Sequence, residues 1–154
     1  MAPVNRSRRR RKQAHCPEHG PASAFVALAS TRDDVVVSEL VLAELYNLLR
    51  NPAVLTPPLG AKDASDIVGT WRAHPRWRVV SFPPDARAMH DALWTEAARP
   101  GFGRRRVFDA RLALSLLAFG VTELATANTA DFRGFGFRRV FNPLTPPAPA
   151  APPR

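Results

Sequence analysis

Short apolar runs alternate with stretches of helical period through the middle of the chain. Val35-Val36-Val37, WRVVSF at 77–82, ELAT at 123–126 and RVF at 139–141 are β-branched or aromatic runs of strand length. Between them, residues 38–50, 62–73, 85–99 and 107–119 carry the apolar spacing of helices. The punctuation agrees with that division. Ser38 can cap the helix that follows it, Glu39 suits the positive helix end, and Asn51-Pro52 stops the helix because the residue before a proline avoids the α conformation. Gly120 stands where the helix from Val107 needs a left-handed terminal residue, and Pro83-Pro84 before Asp85 separates a strand from a helix. Strands alternating with helices predict an α/β fold, in which a mainly parallel sheet forms the middle of three layers with helices on both faces.

Composition narrows the classes. The chain has 154 residues, 45% of them hydrophobic, with 9 Phe and 3 Trp, enough for one domain with a buried core. Its single cysteine, Cys16, rules out an internal disulfide, and no stretch approaches the roughly 20 apolar residues of a membrane span. Net charge is +9, but Arg6, Arg8, Arg9, Arg10, Arg11 and Lys12 supply six of those charges with no acid among residues 1–12, leaving a body of only +3. No apolar segment follows them, so they do not form a secretory signal. At the other end, TPPAPAAPPR (145–154) has five prolines in ten residues and predicts an extended, unpacked tail. The division is therefore a basic, disordered or non-native segment at 1–20, one domain at 21–144, and a disordered Pro/Ala-rich tail at 145–154.

Three acids stand where the pattern wants apolar residues or at the end of a strand. Glu44 has Leu40, Val41 and Leu48 at helical spacing, and Leu42, Leu45 and Leu49 make that helix apolar around most of its girth, which predicts a core helix with a carboxylate inside it. Such a group costs several kcal/mol unless it is paired, protonated or bound to a cation, and an arginine partner is the plain alternative. Asp109 falls in the first turn of the helix from Val107, where an acid is also common for capping, after the basic run Arg104-Arg105-Arg106. Asp131 follows the third strand together with Asn128 and Thr129. In open parallel sheets ligands bind at the carboxyl ends of the strands, so the three acids are expected to converge on one cleft. Oxygen donors without a Cys/His cluster suit a hard cation, Mg²⁺ or Mn²⁺, rather than zinc. His15, His19, His74 and His90 have no metal-site spacing, no GxxxxGK[ST] loop is present, and Gly134-Phe135-Gly136 reads as a turn. Carboxylate-bound metal in a basic body points to phosphodiester hydrolysis.

The strings VVVSELVLAELYNLLRNP (35–52) and VFDARLALSLLAFGVTELATANTADFRGFGFRRVFNPL (107–144) resemble the PIN-domain ribonuclease toxins of the VapC type, over about residues 22–144. The resemblance implies a PIN-like fold and a cytoplasmic, Mg²⁺- or Mn²⁺-dependent endoribonuclease. It also implies that the protein is the toxin half of a type II toxin–antitoxin pair, neutralised by a VapB-type antitoxin and commonly a homodimer. Carried over by position, the family's acids fall on Glu44, Asp109 and the 128–131 segment, where Asp131 is the preferred ligand and Asn128 an auxiliary. Arg105 or Arg106 would hold the RNA backbone.

One departure is large. Family members open on a strand carrying Asp-x-Asn, whose aspartate is a metal ligand, yet residues 1–21 contain no aspartate, and Pro3-Val4-Asn5 followed by RSRRRRKQ takes that place. Residues 1–34 have the length for that strand and the helix after it, but only 21–30, with Phe25, Val26 and Leu28, have the chemistry, as a helix. Two explanations stand open: a shifted reading frame or start site, or a variant that has lost its first ligand and with it much of its activity.

Overall fold

A computed structural model describes residues 17–145; the sequence expectations for 1–16 and for 146–154 lie outside the described residues. The described chain forms six helices and four three-residue strands: α1 (His19–Ala29), β1 (Val36–Ser38), α2 (Glu39–Arg50), α3 (Ala61–Arg72), β2 (Arg78–Val80), α4 (Ala86–Ala97), α5 (Arg106–Ala118), β3 (Glu123–Ala125), α6 (Thr129–Phe132) and β4 (Arg139–Phe141). Local chemistry explains the boundaries. Ser38 Oγ accepts the backbone N–H of Leu40 at 3.2 Å and opens α2, Asp85 accepts that of Ala88 at 2.9 Å and opens α4, and Gly120 with φ of 80° turns the chain out of α5. Helix α1 begins at His19, two residues ahead of Pro21, which its first turn tolerates because no intrahelical donor is needed there.

The strands pair in parallel, as the alternation implied. β1 lies on β2 with Val36 opposite Arg78 and Ser38 opposite Val80; β3 lies on β4 with Glu123 opposite Arg139 and Ala125 opposite Phe141. They form two separate two-stranded ladders, not one sheet, among the described residues. A groove of about 970 Å³ is lined by residues of both ladders, among them Val35, Val36, Val37 and Ser38 from the first and Glu123, Leu124, Ala125 and Thr126 from the second. The short ladders also explain why 77–82 shrinks to three strand residues: β1 offers only three partners, and Phe82 stays exposed.

The core is formed mainly where α4 packs on α5. Met89 and Leu93 of α4 are buried, as are Ala110, Ala113 and Leu116 of α5, and Phe132 of α6 closes one end. On the other side α2 packs against α3, and the Arg72 guanidinium meets the Glu39 carboxylate at 2.6 Å. Trp77 stacks on Trp71 at 5.4 Å and donates its indole N–H to Ala29 O at 3.1 Å, joining α1, α3 and the start of β2.

One expectation is overturned here. Helix α2 is not a core helix: Leu42 alone is fully buried, Val41 and Leu48 are 39% and 43% exposed, and Glu44 on the same stripe is exposed. Helical period fixes which residues share a face; what lies opposite that face comes from other layers. Opposite this stripe is the groove, to whose lining Val41 and Glu44 belong.

Candidate active site

Asp109 stands in the first turn of α5, partly buried, on the wall of the groove. Burial pushes its carboxyl above the ordinary range, and the negative charge of Asp131 pushes it further the same way; the Arg106 guanidinium, one turn back, opposes both. Among the described residues no hydrogen bond or ion pair reaches the Asp109 carboxylate. Its ionised form therefore carries a desolvation cost and a like-charge neighbour with little to offset them.

Asp131 is held differently. It lies in the short helix α6, where the Asn128 side-chain amide donates to its Oδ2, while Asn128's own backbone N–H is bonded to Thr126 Oγ1 at 3.2 Å. Thr126, Asn128 and Asp131 thus form a hydrogen-bonded chain leading from the end of β3 to one carboxylate.

Five carboxylates line the groove: Asp33, Asp34, Glu44, Asp109 and Glu123. Three are neutralised by arginine, Asp34 by Arg32 at 2.5 Å, Asp33 by Arg76 at 3.1 Å and Glu123 by Arg138. Glu44 and Asp109 have no such partner among the described residues, so the arginine pairing weighed for Glu44 does not occur there. The expected convergence is realised in part. Asp131 lies close enough to Asp109 for their charges to couple, and Glu44 shares the groove with Asp109, but no three Asp, Glu, His or Cys of the described residues gather tightly enough to form a metal cage by themselves.

The donor set fits Mg²⁺ or Mn²⁺ in kind. It consists of oxygens only, it includes a carboxylate whose charge is uncompensated, and Mg²⁺ characteristically takes one or two carboxylates and fills its remaining positions with water and substrate phosphate. Asp109 and Asp131 would hold it, and Glu44 lines the same groove as Asp109.

Basic residues flank this pair. Arg104, Arg105 and Arg106 are exposed, and Arg105 takes the N-cap position of α5 without a side-chain capping bond. Arg106 has two rings within cation–π range, its guanidinium carbon 6.0 Å from the centroid of Phe102 and 5.4 Å from that of Phe135. Sequence reading missed both phenylalanines. The available signal was that each lies between glycines, Gly101-Phe102-Gly103 and Gly134-Phe135-Gly136, of which Gly101, Gly134 and Gly136 have φ of 80°, 89° and 106°, a backbone that L side chains avoid.

No helix of the described residues is long and apolar enough to cross a membrane. No protein-family model matches the chain. Two curated relatives do, both named Ribonuclease VapC24, from two strains of Mycobacterium tuberculosis. Each is 48% identical over 130 residues, covering 84% of this chain and 87% of the relative. Identity of that depth over most of both chains carries the assignment: the chain belongs to the VapC family of ribonucleases.

Proposed function

We propose that the chain is a Mg²⁺- or Mn²⁺-dependent endoribonuclease, the toxin component of a type II toxin–antitoxin system. In this reading it acts on RNA in the cytoplasm, is restrained by a VapB-type antitoxin and works as a homodimer. The single observation that carries the reading is the state of Asp109: a groove-lining carboxylate that burial and Asp131 both disfavour as an anion, with no protein donor to satisfy it. A bound divalent cation supplies the missing positive charge and, with RNA present, activates water and offsets charge on the phosphate being cut. The chain's own residues do the positioning. Asp109 and Asp131 present oxygens to the cation, Asn128 fixes the rotamer of Asp131, Glu44 lines the same groove as Asp109, and Arg105 and Arg106 attract the RNA backbone.

The finer architecture belongs to the same reading. Both β1 and β3 line the groove along their full length, as the inner edges of one split sheet would, in the order β2-β1, gap, β3-β4. One further parallel strand in the gap would complete a three-layer sheet, and in the family that strand carries the first aspartate. A second reading follows from the gap: a catalytically impaired domain that binds RNA or antitoxin without cutting. The open groove and the absence of aspartate before Pro21 favour it.

Purified protein incubated with RNA and Mg²⁺ or Mn²⁺ decides between the two. Cleavage that is lost in EDTA and in Asp109→Asn supports the enzyme; cleavage that survives either overturns the assignment of Asp109. Salt-sensitive RNA binding with no metal-dependent cleavage establishes the impaired form.

A further inference from the structure

We propose that Arg106, which has the rings of Phe102 and Phe135 within cation–π range, is a binding residue that grips a phosphate of an RNA strand next to the Asp109–Asp131 pair. The inference rests on the ribonuclease reading and adds a built subsite to it.

The ring contacts come from distant parts of the chain. Phe102 comes from the turn between α4 and α5, closed by its own N–H donating to Arg99 O at 3.1 Å, and Phe135 comes from the Gly134-Phe135-Gly136 turn after α6. Both rings are half-buried, whereas Arg106 is exposed. Guanidinium carbons at 5.4 and 6.0 Å from ring centroids are within the range of cation–π attraction, worth about 0.5–1 kcal/mol each at exposed sites. Arg106 is the one described arginine with two rings in that range.

What the rings leave free matters most. Arginine has five N–H donors in a planar fork and no acceptor. Arg32, Arg72, Arg76, Arg99 and Arg138 spend theirs on carboxylates, and Arg78 donates to Phe119 O. Arg106 spends none on any acceptor among the described residues, even though Asp109 is one turn away on the same helix face. A guanidinium near two rings and without an acceptor among the described residues keeps its N–H donors for a phosphate, which takes two parallel ones. The two rings also belong to the segments that carry the two acids: Phe102 precedes the α5 turn with Asp109, and Phe135 follows the α6 turn with Asp131. A phosphate held by Arg106 is thereby registered against both carboxylates at once.

The test is metal-free, so it does not depend on turnover. A short fluorescent oligouridine is titrated with the full chain in EDTA across a series of salt concentrations, for wild type, Arg106→Gln, Arg106→Lys, Phe135→Leu and the Arg106→Gln/Phe135→Leu double variant. Thermal melts check that each variant is folded. Each phosphate contact to a single strand contributes about 0.7 to the slope of log K against log salt. Arg106→Gln is expected to flatten that slope by about 0.7 and to weaken binding by about tenfold. Arg106→Lys should keep the slope but bind more weakly than wild type, because a point charge replaces the fork. Phe135→Leu should weaken binding, and the double variant should be no weaker than Arg106→Gln alone, since the ring acts through the arginine. An unchanged slope in Arg106→Gln overturns the proposal, as does wild-type affinity in Arg106→Lys. Additive losses in the double variant would assign Phe135 to stacking on a base and overturn its role through the arginine. A protein that passes these arms but does not cleave RNA with Mg²⁺ refutes the enzyme reading and leaves the subsite standing.

Discussion

Replacing Asp109 with asparagine should stabilise the fold while removing the chemistry. The wild-type carboxylate is partly buried, repelled by Asp131 and without a hydrogen-bond donor among the described residues. Asparagine has the same shape and no charge, so it keeps the packing and removes the penalty. Substitutions that relieve a strained functional site commonly yield about 0.5–2 kcal/mol. Because the group is only partly buried, solvent screening keeps this one toward the lower part of that range. For about 1 kcal/mol, the melting midpoint of a domain this size should rise by about 3–5 °C. The sign with pH follows from the direction of the shift. The folded-state pKa lies above the unfolded one, so the penalty is absent below the unfolded value and develops as pH rises through the folded value. The variant's advantage should therefore be full at pH 7 and smaller at about pH 4.5. Adding Mg²⁺ at neutral pH should raise the wild-type midpoint and not that of the variant, since a cation removes the same penalty. Differential scanning calorimetry at the two pH values, with and without Mg²⁺, reads all of this. A variant that melts at or below wild type at pH 7, or a difference independent of pH, would refute the reasoning.

Two further outcomes test the scaffold. Leu93, 2% exposed on α4 where it packs against α5, should lose about 2–5 kcal/mol on truncation to alanine, measured as a lower denaturation midpoint with an unchanged denaturant slope. Ser38→Ala removes the side chain that accepts from Leu40 N and should cost about 1 kcal/mol, with loss of helical signal if α2 unwinds from its first turn.

The relation between groove and activity has a physical logic. Open parallel sheets bind ligands outside the carboxyl ends of their strands, and here both β1 and β3 contribute to the lining of the groove. The sequence carries Glu44, Asp109 and Asp131, while residues 1–12 hold six cations, one proline and no acid. Coding DNA upstream of Pro21 bears directly on this: a neighbouring frame encoding an Asp-x-Asn apolar strand would supply both the missing strand and the missing ligand.

Local order was readable from residue spacing. The four longer helices agree with their predicted bounds to within two residues, and three of the four strands fall inside the predicted runs while β1 extends one residue past its run to Ser38, because period, capping and glycine turns act over a few neighbouring residues. Ser38, Asp85 and Gly120 did their expected work for the same reason. Asp109 and Asp131 were also identifiable as acids at helix starts. Their mutual repulsion was not, since it joins groups 22 positions apart in the chain through the docking of α6 on α5. Glu44 shows the limit most plainly. Its apolar neighbours define a stripe, and a stripe implies a covering layer, but the layer is a matter of which distant strands come together. Here they leave a groove, so the same stripe faces open space. The ring contacts of Arg106 are of this kind too: two phenylalanines, each set between glycines but 33 positions apart, come near one guanidinium because separate loops close over the start of α5. Spacing along the chain assigns each residue to a face; burial, charge coupling and ring contacts depend on which faces meet, and that depends on long-range packing that local spacing does not encode.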